Sequence, residues 1–391
     1  MKVVHVITRL VLGGAQENTL LTCEGLRRRG HDVTLITGPA LGPEGDLIKR
    51  ANATGVPLRL VDELRRAVTP WRDLKSYCAL KKLLCEIRPQ IVHTHSSKAG
   101  IIGRRAAHAA GVPIIVHTIH GLPFFKCQSS AANWLYIALE RRAALISDRI
   151  FCVADAMTEG AVAAGIAERS KFQTVYSGME VEPFLDDSIS SQDAKKELGI
   201  PPDAPVVGKI ARLFHLKGHE DFLAAAARIS KRFPSARFLI VGSGILHDKL
   251  IHLALSLGIV EKVTFAGLVP PDRIPFMVKA MDVLVHASYR EGLARTLVQA
   301  LLSARPVVSY DLDGAPEVVL PGKTGFLVAP GDIQGLADSV VSLLSDPKLR
   351  QRYGEQGRSL FAKTFGHETM TTQIENAYFE LARQKGISVN F

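Results

Sequence analysis

The chain has 391 residues, of which 47% are hydrophobic and 22% charged, a balance that excludes a disordered, collagen-like or coiled-coil protein. At about 150 residues per domain, the length predicts two domains, or three. The formal charge is +10, and it is uneven: residues 1–180 hold 24 Lys and Arg against 15 Asp and Glu, whereas residues 181–391 hold 24 against 23.

A basic first half points to an anionic partner: a membrane leaflet, a phosphorylated substrate or nucleic acid. Aromatic residues are only 6% and no RNA- or DNA-binding module is recognisable, which disfavours nucleic acid. Cys23, Cys78, Cys85, Cys127 and Cys152 are odd in number and form no C-x-x-C pair, so reduced thiols are expected rather than a disulfide framework or a structural zinc site. The opening MKVVHVITRLVLGGA superficially resembles a signal peptide, but His5 and Arg9 interrupt its apolar run. No window reaches about 18 uninterrupted apolar residues. The expected location is cytoplasmic, with peripheral attachment to the inner face of the membrane through the basic half as a further option.

In chain order, short apolar β-branched runs alternate with longer amphipathic segments. Strands are predicted at Val3–Ile7, Asp32–Thr37, Leu58–Val61, Ile91–His95, Ile114–Thr118 and Arg149–Val153. Helices are predicted at Gln16–Arg29, Leu74–Ile87, Gly100–Ala110, Ala131–Leu145 and from Asp155, several of them stopped by Gly or Pro. Residues 182–205 are rich in Asp, Ser and Pro and read as a linker with a short helix at Ala194–Leu198. The pattern then restarts, with strands at Val206–Ala211, Arg237–Val241, Val263–Ala266, Val283–His286 and Val307–Ser309. The intervening helices are Gly218–Phe233, Ile245–Leu257, Ile274–Ala280 and Thr296–Leu302, and further helices follow at Leu336–Leu344 and His367–Lys385. Continuous apolar strands separated by helices imply parallel βαβ units. The predicted architecture is α/β: two doubly wound domains, 1–180 and 181–366, facing across a cleft lined by the loops that follow the strands.

Those loops hold the residues suited to chemistry. Gly13-Gly14 precedes the first helix, where backbone N–H groups can face an anion, though the spacing is not G-x-G-x-x-G. A purely structural turn explains it equally well. His93, His95, His117 and His120 end neighbouring strands; a zinc site is disfavoured because strand-end histidines also serve as hydrogen-bonded structure and no carboxylate accompanies them at ligand spacing, and His120 is the expected functional member. Arg212 and Lys217, five apart in one loop, can converge on a diphosphate, against the alternative of two solvated surface cations. Glu291 sits just before a helix N-terminus, and Gln299 lies eight residues on, inside that helix. Asp311-Leu312-Asp313 has the form of a metal-binding D-x-D, but the two cations already neutralise phosphate, so the metal-free reading is favoured.

Taken together, these segments resemble family 4 glycosyltransferases of GT-B architecture over most of the chain. The resemblance rests on GGAQ, HTIHG and VYSGMEVEPF in the first half. In the second it rests on IARLFHLKGHEDF, FLIVGSG, VTFAGLV, VLVHASYREGLARTLVQALLSARPVVSYDLDGAPEVV and GKTGFLVAPGD. It implies a metal-independent, retaining hexosyl- or N-acetylhexosaminyltransferase of polysaccharide biosynthesis. Such an enzyme moves a sugar from a nucleotide-diphosphate donor to an acceptor hydroxyl and needs no cofactor. The N-terminal domain would bind the acceptor, for which a polyprenyl-diphosphate-linked glycan or another lipid is expected. The C-terminal helix, about 367–391, would cross back onto that domain.

Residue by residue, the resemblance implies that Arg212 and Lys217 hold the diphosphate and stabilise the leaving group. Amides around Gly292, Leu293 and Ala294 would contact phosphate, and Glu291 would accept hydrogen bonds from sugar hydroxyls. Gly14 would approach the donor from the other domain, Gly242 would join the donor contacts, Leu268 would border the base, and His120 would stand at the reacting centre. The family often has a second Glu where this chain has Gln299, which can still accept through its carbonyl oxygen. Ser177 stands where Asn is usual, and Ala304-Arg305 where Gly-Lys is common. Three other readings remain: a catalytically silent sugar-nucleotide-binding partner subunit, a GT-B-like epimerase, and a nicotinamide enzyme, the last disfavoured by the Gly spacing.

Overall fold

The computed structural model describes residues 1–41, 47–125 and 128–388; Cys127 and the end of the predicted C-terminal helix, 389–391, lie outside them. The chain forms two compact units. One comprises Met1–Met179 with the segment from Phe365 onward, and the other Glu180–Thr364.

The first unit carries seven parallel strands: β1 Lys2–Arg9, β2 Asp32–Gly38, β3 Leu58–Leu60, β4 Ile91–His95, β5 Ile114–Ile119, β6 Arg149–Cys152 and β7 Phe172–Thr174, in the order β3-β2-β1-β4-β5-β6-β7. Its helices are α1 Gly14–Arg28, α2 Ile48–Ala53, α3 Pro70–Ile87, α4 Ser97–Ala109, α5 Ser130–Leu145 and α6 Asp155–Ala163. The second unit repeats the plan. Its strands β8 Val206–Ile210, β9 Arg237–Val241, β10 Val263–Gly267, β11 Val283–His286, β12 Val307–Tyr310 and β13 Gly325–Val328 run in the order β10-β9-β8-β11-β12-β13. Its helices are α7 Glu182–Leu185, α8 Ser191–Glu197, α9 His219–Arg232, α10 His247–Ser256, α11 Ile274–Lys279, α12 Arg295–Leu302, α13 Ile333–Ser345 and α14 Pro347–Phe361. Both sheets are doubly wound, with a reversal of strand order beside β1 and β8, and in such sheets ligands gather beyond the carboxyl ends at that switch point.

The C-terminal helix α15, His367–Gln384, packs on α1 and gives Met370, Ile374 and Tyr378 to the first unit's core. The junction is pinned by backbone bonds: Met179 N–H donates to Phe365 O at 2.9 Å, and His367 N–H to Met179 O at 3.0 Å. Two expectations need correction. Residues 182–205, expected as a linker with a short helix at Ala194–Leu198, belong to the second unit, where α7 buries Phe184, α8 buries Ala194, and Ile200 is buried just beyond it. Helix α14 went unpredicted because it packs through small residues more than an apolar stripe: a Cβ on Gly354 would meet Ala304 O at 2.1 Å.

Candidate functional site

In the second unit, the loop after β8 turns sharply enough to place both its cations. Leu216 and Gly218 have φ of 65° and 61°, and a side chain at Gly218 would meet Ala287 O at 1.8 Å. Only glycine therefore lets α9 begin this close to the end of β11. His219 Nε2–H donates to Arg212 O at 2.9 Å; burial first, then Lys209, lowers the pKa of His219 to about 4, so it donates as the neutral ring. Arg212 is exposed, its guanidinium over the Phe214 ring at 5.2 Å from the centroid.

The loop after β11 is laced to this one. Tyr289 N–H donates to Leu216 O at 2.8 Å, and Ser288 Oγ lies 3.1 Å from the same oxygen. The lacing delivers Glu291 to Lys217, whose ammonium pairs with Oε1, and Ser288 Oγ donates to that oxygen at 3.2 Å. Burial works to raise the Glu291 pKa, but the Lys217 charge and these hydrogen bonds outweigh it and hold the carboxyl below its ordinary range. Beyond Glu291, Gly292, Leu293 and Ala294 lead into α12, whose N-terminus has no side-chain cap hydrogen bond. Gln299 follows on the second turn, half-buried. Gly242 closes β9, its N–H donating to Gly267 O at 2.9 Å, and Leu268 follows β10 at 54% exposure. Arg212, Lys217, Glu291, the α12 entry, Gly242 and Leu268 thus all follow carboxyl ends of strands in one sheet, where anion binding is favoured.

Sequence reasoning missed Lys209 and His286 here and considered Asp313 only as part of a metal-binding D-x-D. Lys209, fully buried on β8, has no hydrogen-bond partner for Nζ among the described residues. Burial, followed by repulsion from Lys217, lowers its pKa to about 7. His286 Nε2 lies 3.8 Å from Glu291 Oε1, and burial lowers its pKa to about 3, so it faces the carboxylate as a neutral ring. Asp313, from the D-x-D, accepts from Glu291 N–H at 2.7 Å: this carboxylate clamps the loop. A lone lysine inside the otherwise uncharged strand Val206–Ile210 could have flagged Lys209, whereas the Asp313 clamp rests on a contact between loops that no local pattern encodes.

In the first unit, Gly14 opens α1 beyond β1, exposed, and His120 follows β5. Behind His120 runs a chain of imidazoles: His120 Nε2 lies 3.1 Å from His95 Nδ1, and His95 Nε2 lies 2.9 Å from His5 Nδ1. The strand register creates it, since β1 pairs His5 with His93, and His95 falls two residues on, on the same face. Burial drives the pKa of His5 to about 3 and that of His95 well below the imidazole range, so both rings are neutral. Neutral rings in series must donate in one direction. The two orders of donation differ in which end carries the outermost N–H, His5 Nε2 or His120 Nδ1.

His5, His93 and His95 bring ring nitrogens within 4.8 Å of one another. Yet His93 already bonds Tyr378 Oη at 2.5 Å and Thr118 Oγ1 at 2.6 Å, and both nitrogens of His95 lie in the chain, so a metal would have to displace these bonds. His117 turns elsewhere, donating from Nδ1 to Thr94 O at 3.0 Å. The four histidines taken together from the sequence thus divide into separate arrangements.

Comparison with known proteins follows the two units. Residues 13–178 match the family described as Glycosyl transferase 4-like domain, and residues 190–360 that described as Glycosyl transferases group 1. The chain is 28% identical over 389 residues to the UDP-Gal:alpha-D-GlcNAc-diphosphoundecaprenol alpha-1,3-galactosyltransferase of Escherichia coli, covering 98% of each. It is 30% identical over 351 residues to the D-inositol 3-phosphate glycosyltransferase of Mycolicibacterium smegmatis, covering 85% of this chain and 79% of that one. Among solved structures, Anabaena Alr3699/HepE in complex with UDP-glucose has a TM-score of 0.84 at 21% identity, over 97% of this chain and 100% of that one. With one family model matched by each unit and relatives aligned through both, the chain belongs to the group 1, 4-like glycosyltransferases of GT-B fold.

Proposed function

We propose that this glycosyltransferase is a retaining enzyme that works without a metal and takes a UDP-hexose or UDP-N-acetylhexosamine as donor. The observation that carries the reading is the convergence of Arg212, Lys217 and the α12 entry at the carboxyl ends of one sheet. Two fixed cations and a helix N-terminus supply the charge that a leaving diphosphate requires, the task a metal would otherwise perform. The Lys217–Glu291 pair is then poised to exchange partners. Lys217 turns to the diphosphate, and Glu291 accepts from sugar hydroxyls while Ser288 continues to hold it. Gly242, Leu268 and Gln299 complete the donor contacts.

The acceptor is a polyprenyl-diphosphate-linked glycan, met at an anionic membrane surface. The E. coli relative, whose named acceptor is a diphosphoundecaprenol, and the basic first unit support this reading. The test is release of nucleoside diphosphate from UDP-sugars, with and without a polyprenyl-diphosphate GlcNAc acceptor and in the presence of EDTA. Acceptor-dependent, EDTA-resistant release is expected; activity abolished by EDTA and restored by a divalent ion would overturn the metal-free reading. Gln299 favours one alternative, a sugar-nucleotide-binding subunit without turnover, which calorimetry would expose as donor binding with no release on any acceptor.

A further inference from the structure

The chain has two tryptophans, and both stand in solvent: Trp71 is 66% and Trp134 72% exposed. Side chains of this size are normally well covered, so their joint exposure needs a reason. Trp71 sits on the first turn of α3, with Leu74 one turn on, 52% exposed, and the Lys75 ammonium 5.9 Å from the indole centroid. Trp134 and its neighbour Leu135, 49% exposed, lie on α5, which ends at Leu145, 79% exposed. Between α3 and α5, floored by α4, runs a groove of about 720 Å³ whose apolar lining includes Leu74, Tyr77, Ile101, Ile102 and Ile146; Arg105 and Arg142 also line it.

Charge identifies the occupant. On α3, Arg72, Lys75, Lys81 and Lys82 are exposed, as are Arg105 on α4 and Arg142 on α5. The described residues of these three helices offer one exposed carboxylate, Glu86; Asp73 pairs with Lys98 at 2.5 Å, and Glu140 is buried against Arg104. Protein–protein interfaces are depleted in Lys, whereas lysines framing tryptophan and aliphatic side chains are the composition of helices lying in an anionic bilayer surface. Among the described residues no helix is long and apolar enough to cross a membrane, so contact is with the surface.

We propose that the face formed by α3, α4 and α5 docks on an anionic phospholipid bilayer, with Trp71 and Trp134 in the interfacial layer and the α4 groove receiving a lipid chain. This deepens the reading of a lipid-linked acceptor and rests on it. Because both tryptophans belong to this face, intrinsic fluorescence reports on it alone. The full chain is titrated with phosphatidylcholine vesicles with and without phosphatidylglycerol, some carrying brominated acyl chains. The expected result is a blue shift and bromine quenching on anionic vesicles, with affinity lowered at least about tenfold in R105E/R142E. Absence of shift and quenching, equal binding to neutral and anionic vesicles, or wild-type binding by R105E/R142E would overturn the proposal. UDP release from the donor in vesicle-free solution separates the two ideas. Variants that lose docking but keep this release support the surface, and docking by a wild-type chain that never turns over donor supports it while removing the enzymatic reading alone.

Discussion

The two units share a topology but distribute charge in opposite ways. The first holds 26 basic against 17 acidic residues, yet the groups behind His120, His95 and His5, are neutral imidazoles. Its excess of cations lies on outward faces of helices such as α3, and some is spent internally, as in the buried Arg104–Glu140 pair at 2.6 Å. The second unit, with 22 basic against 21 acidic residues, is nearly neutral overall but places Arg212, Lys217 and buried Lys209 together beneath one site. Net charge thus reports on what a surface meets from a distance, and the chemistry is set by the few charges that strand ends hold fixed.

The sharpest way to break this comparison is to remove a cation that serves structure alone. Arg104→Met leaves Glu140 buried without its partner and should cost about 3–5 kcal/mol in chemical denaturation; a loss under about 1 kcal/mol would show that the pair is as dispensable as the exposed Arg28–Glu368 bridge. In the second unit, Lys217→Ala should lower kcat/KM by about a hundredfold or more while leaving the unfolding transition near wild type. Equal loss of stability and activity would recast Lys217 as a loop anchor for Glu291.

Lys209 gives the pH test. Its folded pKa of about 7 lies below the ordinary 10.5, so between those values the unfolded chain binds more protons and stability must rise with pH. Wild type should gain stability from pH 7 towards 10, and Lys209→Met should lack that component of the slope and be more stable at neutral pH. If a bound diphosphate restores the charge, UDP binding near pH 8 takes up a proton, visible as a calorimetric heat that depends on the buffer's ionisation enthalpy. The smallest effect is expected at His95. His95→Phe keeps the ring but breaks the chain that orients His120, and should lower kcat about tenfold with UDP affinity unchanged.

Much of this was legible before any coordinates. Short, mostly apolar and β-branched runs such as Val3–Ile7 and Phe238–Val241 read as strands covered on both faces, and the loops following such strands named Arg212, Lys217 and Glu291. Two edge strands, β7 and β13, went unpredicted; they have three and four residues. Helix α14 did announce itself through Asp346, whose side chain caps Leu349 N–H, and Pro347 in its first turn, but a search for apolar periodicity passes over both. His5 was hidden for a different reason. It lies mid-strand in β1, and only register with β4 makes it the end of a relay that starts at His120.

The pinned junction at Met179 and Phe365 makes the second unit an insertion into the first. A ribosome therefore emits the first unit's seven strands, then the whole of Glu180–Thr364, and only afterwards α15 with Met370, Ile374 and Tyr378. The usual order of vectorial folding, amino-terminal domain first, is reversed. The unit that begins the chain must wait for its last helix, with part of its core uncovered, while the unit encoded in the middle already has every residue it needs.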